Sequence, residues 1–87
     1  MGFTRAEFLR LLPAALRHYP YTLAGDCIQV MVEGKPLHIT LGEEQVRRIA
    51  ALALPWIPVE FAYARLDEAA FQTFLRHFDL YYRKGGG

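Results

Sequence analysis

The run from Cys27 to Leu41 constrains this chain more than any other. Ile28, Val30 and Val32 alternate with Gln29, Met31 and Glu33, and Leu37, Ile39 and Leu41 alternate with His38 and Thr40. A period of two is the pattern of a strand with one buried face. Glu33-Gly34-Lys35-Pro36 between the two runs reads as a tight turn, because glycine enters backbone angles that other residues avoid. Folding about Gly34-Lys35 sets Val32 opposite Leu37, Val30 opposite Ile39 and Ile28 opposite Leu41. All six then share one face, and a slip of one residue would destroy the match. Pro36 has no amide to give the ladder, so the turn is expected to work as a four-residue loop in that register.

The rest of the chain must cover that apolar face. Its 87 residues make one domain, expected over 1–84 with a flexible glycine tail at 85–87. A domain this small buries only about 60–65% of its unfolded surface. Hydrophobic residues at 53% compensate and exclude a disordered chain. Thr4 and Glu7 have the spacing of a capping box, with Phe3 and Phe8 placed as a hydrophobic staple. Phe8, Leu11, Leu12, Ala15, Leu16 and Tyr19 follow at helical spacing. Pro13 predicts a kink or break near Leu12, and Pro20 a stop after Tyr19. Gly25-Asp26 signals a turn, with Tyr21 and Leu23 packing beneath it or forming a short extended piece.

Beyond the hairpin, Thr40 and Glu43 repeat the capping-box spacing. Val46, Ile49, Ala50 and Ala53 predict the buried stripe of a second helix, ended by Pro55. Val59, Phe61 and Tyr63 alternate as a third strand, and Pro55 and Pro58 place its start at an edge or just outside the ladder. Asp67 caps a last helix with Leu66 and Phe71 as its staple. Phe71, Phe74, Leu75, Phe78 and Tyr82 form that helix's apolar stripe. The predicted order is helix, strand, strand, helix, strand, helix. The simplest assembly is a two-layer α+β domain, a three-stranded sheet with the helices packed on one face. The middle helix would make a right-handed crossover to a strand beside either hairpin strand.

Composition narrows function mainly by exclusion. Ten basic and nine acidic residues, well mixed, give a net charge of +1 and no electrostatic footprint for nucleic acid or a membrane surface. Nucleic-acid or anion binding would require the helices to gather Arg10, Arg17, Arg47, Arg48, Arg65, Arg76, Arg83 and Lys84 into one patch. Arg5, Glu7 and Arg10 interrupt the N-terminal region, which argues against a signal peptide or membrane span. A single cysteine fits a reducing compartment, so a cytoplasmic protein is expected. His18, Cys27, His38 and His77 lack the short spacing of a metal pair. In the hairpin register above, Cys27 lies several residues from His38, too far for an activated thiol. Glu43 and Glu44 are accounted for by capping, and neither Glu60 nor Asp79 has a second carboxylate to work with. No GxGxxG, P-loop or GxxG sequence cradles a phosphate. The sequence therefore predicts no catalytic, cofactor or metal residues. What remains is a non-enzymatic protein–protein interaction module, a homodimer or an adaptor. Its expected contact residues are Met31, His38, Trp56 and Tyr81, with Arg47 and Arg48.

The chain ends Gly85-Gly86-Gly87. Gly86 and Gly87 resemble the carboxy-terminal Gly-Gly of ubiquitin-like sulfur carriers. That resemblance implies a carrier protein whose last glycine is adenylated and converted to a thiocarboxylate. It covers those two residues alone. The carriers begin with a strand hairpin and carry their tail after a strand, whereas both ends of this chain read as helical.

Overall fold

The computed structural model describes residues 2–85. It is an α+β fold with two helices, α1 (Arg5–Ala15) and α2 (Glu68–Gly85). Between them lie six strands: β1 (Tyr21–Ala24), β2 (Cys27–Val32), β3 (Lys35–Leu41), β4 (Gln45–Ile49), β5 (Leu52–Trp56) and β6 (Val59–Ala62). Four form one antiparallel sheet in the order β1-β2-β3-β6, and β4 and β5 pair only with each other. The sheet thus has four strands where three are predicted, because Tyr21–Ala24 joins β2 across the Gly25-Asp26 turn.

The helix predicted over Val46–Ala53 is instead this β4–β5 hairpin, and the described residues make no crossover. The third predicted strand, β6, runs antiparallel beside β3 as an edge. Thr40, expected to cap the helix, lies inside β3 and pairs with Cys27 and Glu60. It is therefore not placed to start a helix.

The hairpin register also differs from expectation, by two residues. Val30 lies opposite Leu37 and Ile28 opposite Ile39, with Val32 opposite Lys35. The turn is the two-residue Glu33-Gly34, with φ of 52° and 77°. Paired positive angles are those of a type I′ turn, whose twist suits a hairpin. A shift of two preserves the face on which every side chain lies. It also sets Pro36 opposite Met31. There its ring nitrogen points away from β2, towards a position beyond the end of β6, so no ladder bond is lost.

Ile28, Val30, Val32, Leu37, Ile39 and Leu41 form the buried floor of the core. Phe8, Leu12, Ala15 and Leu16 from α1 and Phe71, Phe74, Phe78 and Tyr82 from α2 pack into the same cluster. The capping box of α1 is complete: Glu7 donates its amide to Thr4 Oγ1, and Thr4 donates its amide to Glu7 Oε1. These bonds hold the Glu7 carboxyl below its ordinary range. The helix passes through Pro13 without a break at Leu12 and ends at Ala15. Asp67 Oδ1 accepts the Ala70 amide at the start of α2, and Leu66 and Phe71 are both buried as the staple requires. The two ends of the chain meet in the core. Tyr82 stacks on Phe8 at 4.6 Å and donates its hydroxyl to the Phe8 carbonyl at 2.9 Å.

Candidate interaction surface

The β4–β5 hairpin is an arm. Its base is held firmly. Gly42 donates its amide to the Pro58 carbonyl at 2.9 Å, and Ile57 is fully buried. A Cβ on Gly42 would come within 3.0 Å of the Pro58 ring, so glycine permits this close approach. Glu44 Oε1 accepts the amide of Arg5 at 2.7 Å, tying the base to the start of α1. The Arg5 guanidinium pairs with Asp26 in the neighbouring turn.

Beyond the base both strands are exposed along most of their length, with Pro55 and Trp56 half-buried. Val46, Ile49, Leu52 and Leu54 are 55%, 48%, 62% and 45% exposed. The molecule measures 46 × 24 × 21 Å. The 18 residues of α2 span only about 27 Å, well short of the longest dimension. Gln45 lies opposite Trp56, Arg47 opposite Leu54 and Ile49 opposite Leu52. One face thus carries Ile49, Leu52, Leu54 and Trp56, and the other Val46, Arg48, Ala53 and Pro55. The tip bends at Ala50, whose φ of 55° is in the left-handed region. That angle costs a residue with a Cβ about 1–2 kcal/mol. A two-stranded ribbon alone in water is marginal at best. An open depression of about 700 Å³ runs along the base, lined by Gly2, Gln45, Val46, Arg47, Leu54, Pro55 and Trp56.

The expected contact residues separate into three groups. Arg47, Arg48 and Trp56 are on the arm. Met31 and His38 are diagonal neighbours on the open sheet face, both half-buried. Tyr81 lies on α2, half-buried against the core. The arm's aliphatic residues were not among the expected contacts. Val46 and Ile49 belong to the predicted helix stripe. The alternation of Leu52, Leu54 and Trp56 was the signal that could have revealed a strand.

The other chemical candidates stay apart. Among the described residues no three histidine, cysteine, aspartate or glutamate side chains gather as a metal site. Cys27 is a free, half-buried thiol opposite Thr40. The observed register makes it a diagonal neighbour of His38, closer than the sequence register implied. The arginines are distributed over α1, the α1–β1 connection, the arm, the β6–α2 connection and α2. Gly86 and Gly87 lie outside the described residues. No helix of the described residues is long and apolar enough to cross a membrane. Family models, curated proteins and solved structures yielded no match to this chain.

Proposed function

We propose that this protein is a non-enzymatic interaction module whose contact element is the β4–β5 arm. One observation carries the reading: a hairpin rooted in the core holds four aliphatic side chains about half exposed, with no element among the described residues covering them. Fully burying an aliphatic side chain contributes about 1.5–3 kcal/mol. Covering the exposed halves of four supplies several kcal/mol, the scale on which specific association is decided.

Affinity purification of the full chain from its native host tests this, using an N-terminal tag and comparing wild type with Leu52→Asp/Leu54→Asp. The expected result is a stoichiometric partner, or a second copy, lost in the double variant while the circular dichroism spectrum is retained. A monomer that captures nothing, or capture indifferent to the arm, overturns the proposal. Deleting Gly85–Gly87 in parallel separates this reading from the carrier, which requires a free Gly87.

A further inference from the structure

We infer that the arm's occupant is a second copy of this chain, joined antiparallel along the outer edge of β4 about a twofold axis at Val46. This rests on the reading of the arm as the contact element and names its partner.

The hydrogen-bond phase identifies the open edge. The two-residue tip makes Ile49–Leu52 a bonded pair, and bonded pairs then alternate with non-bonded ones. Arg47–Leu54 and Gln45–Trp56 are therefore bonded. The main-chain groups of Val46 and Arg48 point outward from β4, as do those of Ala53 and Pro55 from β5. Pro55 has no amide to offer, so the outer edge of β5 is blocked where a new strand would bond. In the main sheet, β1 is four residues long and Pro20 precedes it, which limits that edge too. β4 keeps its outward amides.

The charges of the outward residues then point to the partner. The outward residues in this stretch are Glu44, Val46 and Arg48, a sequence complementary to itself when reversed. Antiparallel pairing about Val46 sets Val46 against Val46 of the second copy. Glu44 then lies against Arg48 of the second copy, twice by symmetry. Each of these is a bonded position, and the three lie on one face. A twofold centred on Glu44 would oppose two carboxylates, and one centred on Arg48 two guanidinium groups. Shifting by two residues in either direction leaves Glu44 and Arg48 unmatched; the shift centred on Gln45 sets Glu43 against Arg47 of the second copy instead, a register that Arg47→Glu would disturb and Arg48→Glu would not. Glu44 Oε1 is occupied by the Arg5 amide, which leaves Oε2 for the guanidinium. The product is a four-stranded sheet in which the outer β4 edges vanish. Ile49, Leu52, Leu54 and Trp56 of both arms then join into one face of that sheet, which edge pairing itself leaves uncovered, and each tip reaches the neighbour's Gly42.

Sedimentation velocity over a concentration series tests the inference in the full chain. Wild type is expected to dimerise. Arg48→Glu sets like charges opposite each other at both ends and should weaken the dimer roughly tenfold or more. Glu44→Arg should do the same. An equimolar mixture of the two variants should form a heterodimer, and Glu44→Arg/Arg48→Glu in one chain should restore self-association to within about threefold of wild type. Val46→Pro removes an outward amide without touching a β4–β5 bond and should abolish dimerisation. Thermal melting of every variant guards against misfolding, because Glu44→Arg also removes the acceptor of the Arg5 amide. A dimer insensitive to Arg48→Glu and Val46→Pro overturns this interface. A monomeric wild type overturns the second copy as occupant. If that monomer still captures a stoichiometric partner that Leu52→Asp/Leu54→Asp releases, the interaction reading survives without this inference. If it captures none, both fall.

Discussion

Two hairpins in this molecule share a design and differ in what supports them. Both β2–β3 and β4–β5 close through two residues, and both use a non-glycine residue at positive φ, Glu33 in one and Ala50 in the other. In β2–β3 the turn pairs Glu33 with Gly34, and every inward side chain from Ile28 to Leu41 is buried beneath the helices. In β4–β5 the turn is Ala50-Ala51, without a glycine, and the aliphatic side chains face solvent. The first hairpin is stabilised by the core of its own domain. The second has the composition of a buried ribbon and lacks the cover. A hairpin's local pattern therefore says that it requires a packing surface, and not whether the same chain provides one.

Mutations that sharpen this contrast should act at very different scales. Ile39→Ala in β3 removes a fully buried side chain and should cost about 2–5 kcal/mol in urea unfolding. Gly34→Ala should cost about 1–2 kcal/mol, although no atom within 4 Å would meet the new Cβ, because the strain comes from a φ of +77°. Tyr82→Phe should cost about 1 kcal/mol by deleting the hydroxyl bond to the Phe8 carbonyl.

Tyr82 also gives the core a pH signature. Burial, and secondarily Tyr21, raise its pKa above the ordinary 10.0. The fold therefore favours the neutral phenol. Its contribution is fully present below pH 10 and is lost as pH rises beyond that point. Thermal melts should show a loss of stability above pH 10 that is smaller in Tyr82→Phe. An equal loss in both proteins would place the alkaline sensitivity elsewhere. The smallest effect is expected on the arm. Leu54→Ala should change the unfolding free energy of the monomer by no more than about 0.5 kcal/mol. A loss near that of Ile39→Ala would mean that the arm packs on its own domain, and the comparison would fail.

The same contrast marks which parts of the fold were legible in the sequence. The inward faces of β2 and β3, both helix caps, the Leu66–Phe71 staple and the stripe of α2 could all be read because local pattern and tertiary burial agree there. The register of β2–β3 was misplaced by two residues, since Glu33 gave no sign that it would enter the left-handed region. The arm was misread for a deeper reason. Val46, Ile49, Ala50 and Ala53 fall at helical spacing, and Thr40 and Glu43 imitate a cap. Pairing of β3 with β2 and β6 places Thr40 inside the sheet, and Glu44 is drawn to the start of α1. Long-range bonds thus override a local helical preference. Of the expected contact residues, Arg47, Arg48 and Trp56 fall on the arm, while of its exposed aliphatic residues Val46 and Ile49 were assigned to a buried helix stripe and Leu52 and Leu54 to no role.

Amide hydrogen exchange, followed residue by residue over a range of protein concentrations, tests the central claim most directly. The arm is held to be unsupported in the monomer and extended along its β4 edge by a second copy. In dilute solution Val46 and Arg48 should therefore exchange far faster than Ile28 and Ile39. Their protection should rise with concentration while that of Ile28 and Ile39 stays constant. Slow, concentration-independent exchange at Val46 and Arg48 would contradict the account, because these outward amides have no partner strand in the monomer and would then be protected by something other than a second copy.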